Sequence, residues 1–194
     1  KDFESVDYER VVILRHDVDL LPENSLATAK LENSLGVRGS YYFRVIPETF
    51  KPDIIKEIEG LGHEVGYHYE TVDKVASLGK FASLSKVASL GEKVRKESYE
   101  VKELRSYEKH EKRRDEIIDR AYELFCEELE MFREIVRVET VCMHGSPRGR
   151  YDNKMVWEKY DYRDLGIIGE PYFDVDWNVF GYLTDTGRRW NGDK

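Results

Sequence analysis

Cysteine is nearly absent from this chain, and so is any apolar run long enough to cross a bilayer. Two cysteines among 194 residues, Cys126 in an expected helix and Cys142 in an expected strand, make neither a disulfide framework nor a CxxC pair, so both read as buried thiols. No stretch approaches the ~20 apolar residues of a membrane span, and the first residues lack the apolar segment of a signal peptide. A cytoplasmic protein with no membrane partner is therefore expected, although the chain opens on Lys1 rather than Met and an upstream segment stays open. Basic blocks are missing as well: 31 Lys and Arg stand against 39 Asp and Glu, a net charge of −8. Nothing in that pattern could track a phosphate backbone, which argues against nucleic acid. The absence of a glycine-rich phosphate loop and of a serine nucleophile elbow argues against nucleotide-dependent and acyl-serine chemistry.

What is present is organised around residues 11–19, VVILRHDVD. Four consecutive aliphatics between charged flanks predict a short strand buried on both faces, with its polar end at the edge of a sheet. Side chains alternate along a strand, so Arg15, Asp17 and Asp19 share one face while His16 and Val18 take the other. Carboxylates that close need a cation, a shared proton or solvent, and α/β proteins place their chemistry at the C-terminal ends of parallel strands. A solvated acidic turn fits the same letters.

Onward from this strand, residues 22–35 predict a helix, with Leu26, Leu31 and Leu35 on one side and Gly36 as its stop. Residues 37–46, rich in Tyr, Phe and Val, predict the next strand, and strand, helix, strand at this length is a right-handed unit with parallel strands. A short helix over 51–59, with Ile54, Ile55 and Ile58 inward, leads to a third strand over 62–70, GHEVGYHYE. Residues 74–93 write the hexad xASLx(K/E) three times, read as a helix whose apolar face drifts. With the charge-dense 95–114 it forms an expected insertion, 74–114, within a single domain of 1–194. From Ile118 a stripe returns through Ala121, Tyr122, Phe125, Leu129, Phe132 and Val136, a helix packing one face on a core. A fourth strand over 138–144 ends in His144 and the turn letters GSP; 151–160 reads as helical, and 164–168 with pieces of 172–183 as later strands or irregular segments.

Collecting the strand ends gives Asp17 and Asp19, then His68 and Glu70, then His144, all expected at one mouth of a parallel sheet or barrel. Carboxylate and imidazole together are the ligand set of Zn²⁺ or a similar divalent ion. His16, His63 and His110, which do not recur at that level, are read as packing or surface residues.

Two of these segments resemble the motifs of the polysaccharide deacetylases of the NodB-homology type. RHDVD resembles the Asp pair that ends the family's first strand, and GHEVGYHYE resembles its second motif, close to G-H-E-[IV]-G-N-H-[ST]-x-x-H; the likeness spans about residues 10–72. It departs in several places. Val18 separates the Asp residues, Val72 stands where a metal histidine is expected, and no late histidine precedes Lys194. His144-Gly-Ser-Pro, near the place of the family's Arg-Pro motif, could supply the missing imidazole.

The resemblance implies an irregular (β/α) barrel of fewer than eight strands holding one divalent metal, with Zn²⁺ the ion expected. Asp17 would be the catalytic base and Asp19, His68 and His144 the ligands, with Glu70 second in line as ligand or acid. The implied reaction is hydrolysis of the acetyl group from an N-acetylated sugar or polysaccharide. A metal-dependent amidase or phosphoesterase is the rival enzyme, and a carbohydrate-binding relative with a degenerate site the rival of another class. Basic groups at the mouth would favour phosphate; aromatic platforms such as Tyr67, Tyr69, Trp177 and Trp190 would favour sugar.

Overall fold

The computed structural model describes residues 11–86, 99–145 and 151–184, with the side chains of 79–86 and 99–109 set apart. Strands and helices alternate as β1 (Arg15–Val18), α1 (Pro22–Ser34), β2 (Ser40–Phe43), α2 (Pro52–Gly60), β3 (Glu64–Tyr69), α3 (Thr71–Lys86), α4 (Tyr99–Arg133) and β4 (Val141–Met143). Two 3-10 turns, Asn153–Glu158 and Tyr162–Leu165, and the short α5 (Pro171–Asp174) follow. The strands pair in parallel in the order β1-β2-β3-β4, a curled half-barrel sheet. Asp17 lies opposite Tyr42, Tyr42 opposite Gly66, and His68 opposite Cys142.

The two faces of this sheet differ in chemistry. Val18, Tyr41, Phe43, Val65, Tyr67, Tyr69, Val141 and Met143 are buried. Tyr67 and Tyr69 meet Phe125 and Phe132 of α4 ring to ring. Ile55 and Ile58 of α2 join the same core at 0% exposure, each worth about 1.5–3 kcal/mol of transfer from water. The opposite face is polar: Tyr42 donates to Thr140 Oγ1 (3.1 Å), Thr140 to Glu64 Oε1 (2.8 Å) and Ser40 to Glu64 Oε2 (2.5 Å).

The parallel βαβ units and the α4 stripe match their patterns, and Gly36 stops α1 at φ +70°, a conformation glycine reaches without a Cβ penalty. Other expectations need correction. Residues 11–14 are not a doubly buried strand: β1 starts at Arg15, and Val11, Val12 and Ile13 are 40%, 83% and 46% exposed. The reason is the strand order, since β1 is an outer strand with β2 on one side. In α1 the buried residues are Pro22, Ala29 and Glu32, whereas Leu31 and Leu35 face outward; Glu32 is drawn in by Tyr41 and His16, as described below. Residues 164–168 take the irregular alternative, with the 3-10 turn Tyr162–Leu165 and then a single bridge from Gly169 to Thr140, while the helical stretch expected over 151–160 is the 3-10 helix Asn153–Glu158. Helix α3 runs through the first hexads to Lys86; the rest of that repeat lies outside the described residues up to 98. Its opening belongs to the core, because Val72 is buried and Val75 and Ala76 pack against it. No helix among the described residues is long and apolar enough to cross a membrane.

Gly66 is where β3 passes closest to its neighbours. An added Cβ would lie 2.9 Å from the Thr140 carbonyl oxygen and closer still to the Tyr42 ring. Gly66→Ala should therefore cost about 1–3 kcal/mol, the usual penalty of overpacking. Denaturant unfolding reads this directly, and an unchanged midpoint would show that β4 yields freely.

Glu170 ties α5 to β4, accepting from Met143 N (2.9 Å) and Tyr172 N (2.7 Å) at 0% exposure. Burial pushes its carboxyl up to about 7, so the folded chain holds a proton that the unfolded chain releases at an ordinary carboxylate pKa. Stability from this group is full at low pH and is lost as pH rises through about 7. Comparing wild type with Glu170→Gln between about pH 5 and about pH 8 should move the balance toward the variant by roughly 1–3 kcal/mol. A gap that is constant with pH would exclude a buried protonated Glu170.

Candidate metal centre

The register builds the site. Arg15 and Asp17 of β1 lie on the polar face, with Arg15 Nη2 holding Asp17 Oδ2 at 3.1 Å. His16 turns the other way, stacks on Tyr41 and meets Glu32 Oε1 at 2.8 Å. Beyond the strand ends, Asp19, His68 and His144 converge. Asp19 Oδ1 stands 3.5 Å from His144 Nε2 and 3.7 Å from His68 Nε2, and one ligand atom from each residue lies within 4.8 Å of the others. Ligands bound to zinc at about 2.0–2.2 Å in a tetrahedron stand about 3.4 Å apart, so the spacing suits one small divalent ion.

Hydrogen bonding fixes which nitrogens face inward. His68 Nδ1 is 2.9 Å from the Cys142 carbonyl oxygen, which can only accept, so Nδ1 carries the proton and Nε2 its lone pair. Burial lowers the His68 pKa below the ordinary imidazole value, which keeps the ring neutral, the form that ligates. His144 points Nε2 at Asp19 and Nδ1 at Glu70 Oε2, 3.8 Å away. The backbone of His144 is clamped as well: its N–H donates to the Tyr69 carbonyl (2.8 Å) and its carbonyl accepts from Asn153 Nδ2 (3.0 Å). Asn153 is 1% exposed and also accepts from Asp73 N (3.1 Å) while donating to Asp73 Oδ2 (2.8 Å). Asp19 remains half exposed, leaving the solvent side of the cluster open to water or substrate.

A second set, Asp17, His68 and Cys142, also converges. It shares His68 with the first. Burial pushes the Cys142 thiol up, so a proton must leave a poorly solvated sulfur before it can ligate, which favours the Asp19 set for an ordinary divalent ion.

Glu70 sits beside these groups but is engaged: Arg44 Nη2 holds its Oε2 at 2.6 Å and Lys74 Nζ approaches Oε1 at 3.7 Å. Lys74 in turn meets Glu128 at 2.7 Å and the Val45 carbonyl at 2.9 Å. Arg44, Lys74, Glu128 and Asn153 were not singled out by strand-end patterns, because Lys74 and Glu128 come from helices and Asn153 from a 3-10 turn. Tyr67 and Tyr69, expected as platforms, are fully buried under α4. Their strand positions place them on the helix-packed face. Trp190 lies outside the described residues, as does Pro147 of the turn after His144; Trp177 is exposed. His63 accepts from Gly39 N and bonds the Ala29 carbonyl, and His110 is exposed.

No family model, no curated protein and no solved structure matches this chain.

The clamp predicts its own test. Asn153→Ala removes the donor to His144 O and leaves a buried carbonyl unsatisfied, which should cost about 1–3 kcal/mol. The His144 imidazole resonances should shift further than those of His16, which is held elsewhere; equal shifts would deny the clamp.

Proposed function

We propose that the chain is a partial (β/α) barrel of the NodB kind and a metal-dependent hydrolase that removes acetyl groups from an N-acetylated sugar or polysaccharide. The observation that carries this is the convergence of Asp19 Oδ1 with the Nε2 atoms of His68 and His144. Those three residues would hold the ion. When bound, a divalent ion there supplies a Lewis acid for an amide carbonyl and brings the pKa of a bound water toward neutrality.

Asp17 is the base. Its Oδ2 is tied to Arg15, which aims the carboxylate and leaves Oδ1 to take a proton from water. His16 and His63 face the opposite side of the sheet and His110 lies on α4. With no further imidazole at this mouth among the described residues, the proton on Asp17 is the one available to the leaving nitrogen.

A phosphoester substrate fits less well, since among the described residues the arginines near the mouth, Arg15 and Arg44, are already paired with carboxylates. Exposed Trp177, Tyr172 and Tyr182 offer apolar rings for a sugar instead, and Tyr172 lies under the Arg15 guanidinium at 5.8 Å.

Asp17→Asn should lower hydrolysis of N-acetylglucosamine oligomers by about 10²–10⁴ while keeping bound zinc, because the amide preserves shape but accepts no proton. Loss of zinc with activity would exchange the roles of Asp17 and Asp19. Zinc calorimetry on His144→Ala should show a large loss of affinity and on His16→Ala little; equal binding by all three proteins would sink the ligand set.

A further inference from the structure

The His144 ring has one nitrogen too many for the site as described so far. Its Nε2 faces Asp19, but Nδ1 is buried with no hydrogen-bond partner, a state that costs free energy and is rare in folded proteins. An acceptor, Glu70 Oε2, lies 3.8 Å away, just outside bonding distance. That carboxylate is itself held: Arg44 Nη2 grips the same oxygen at 2.6 Å, Lys74 Nζ lies 3.7 Å from the other, and the side chain is 9% exposed. The Glu70 backbone is fixed too, its carbonyl accepting from Lys74 N at 3.1 Å in the first turn of α3.

When Nε2 of His144 gives its lone pair to an ion beside Asp19, the ring proton sits on Nδ1 and faces the Glu70 carboxylate. We propose that Glu70 is neither a ligand nor a proton donor but the positioning residue of the centre. It fixes the tautomer and orientation of His144 from behind, and Arg44 and Lys74 fix Glu70. The inference rests on the metal-centre reading above. Carboxylates behind ligating histidines contribute about 10–100-fold to metal affinity.

Co²⁺ is the probe, read by its visible absorption on titration into the full chain. Glu70→Ala should weaken Co²⁺ binding about 10–100-fold yet reach the wild-type band at saturation, because the three ligands remain. His144→Ala should change the band itself. Glu70→Gln, whose amide oxygen can still accept from Nδ1–H, should fall between wild type and Glu70→Ala. A Glu70→Ala band altered as in His144→Ala would make Glu70 a ligand and overturn the inference; unchanged affinity would overturn it equally. Should Glu70→Ala unfold, since it leaves Arg44 without its carboxylate, Glu70→Gln decides alone: weaker binding with the wild-type band supports positioning, and wild-type affinity refutes it. A wild type that binds no Co²⁺ overturns the metal centre and this inference together, an outcome distinct from failure of the variants.

Discussion

The register of β3 against β4 is the constraint on which the site depends. With Tyr67 opposite Val141 and His68 opposite Cys142, the pleat sends Tyr67 and Tyr69 into the helices and His68 to the polar face, with His144 two residues beyond Cys142 on that same face. A slip of one residue would exchange these sets, burying imidazoles under α4 and exposing tyrosines at the mouth. Three features oppose the slip. Gly66 admits the Tyr42 ring only in the present pairing, the Tyr42–Thr140–Glu64 hydrogen bonds cross the sheet, and His144 N extends the ladder to the Tyr69 carbonyl.

Beside the site runs a line of charges, Arg44–Glu70–Lys74–Glu128, that ends on the Tyr67 hydroxyl. Taking such groups out of water costs several kcal/mol each before pairing returns part of it, so stability alone is a poor account of them. Their placement gives a better one. Arg44 follows β2, Glu70 follows β3, Lys74 lies in α3 and Glu128 in α4, so the line ties both helices to the strand ends that carry the candidate ligands. Neither sign of charge is left alone, and each carboxylate has a cation within 3 Å.

Much of this arrangement was legible in the sequence, for identifiable reasons. Alternation along RHDVD separated His16 from Asp17 correctly, and each strand end was placed well enough to bring Asp19, His68 and His144 together. Periodicity found α4 through Phe125, Leu129 and Phe132. It failed where apolar letters do not mean burial. Residues 11–14 look like a core strand but lie at the sheet's margin, and Leu31 of α1 and Leu35 just after it face outward while Ala29 and Glu32 are buried. Glu32 goes inward because Tyr41 Oη donates to it at 2.6 Å and His16 meets it at 2.8 Å, a preference set by partners distant in sequence. Arg44, Lys74, Glu128 and Asn153 were invisible for the same reason, since a single charged or amide residue has no period.

The two ends of the polar face differ in how their polar groups are satisfied. At its lower end every group is satisfied: the two Glu64 oxygens accept from Ser40 and Thr140, and Thr140 accepts from Tyr42. That end is a closed network of ordinary hydrogen bonds, and it rigidifies the sheet. At the upper end the balance reverses. Asp19 offers acceptor oxygens, His68 turns its Nε2 lone pair toward them, and His144 Nε2 faces the same point, so acceptors from two strand ends meet there. Such a meeting is unfavourable unless a proton or a cation joins it. Because one face of one sheet carries both ends, composition cannot account for the difference: the fold closes its hydrogen bonds among Ser40, Glu64, Thr140 and Tyr42, and it gathers a carboxylate and two imidazoles at the strand ends open to solvent.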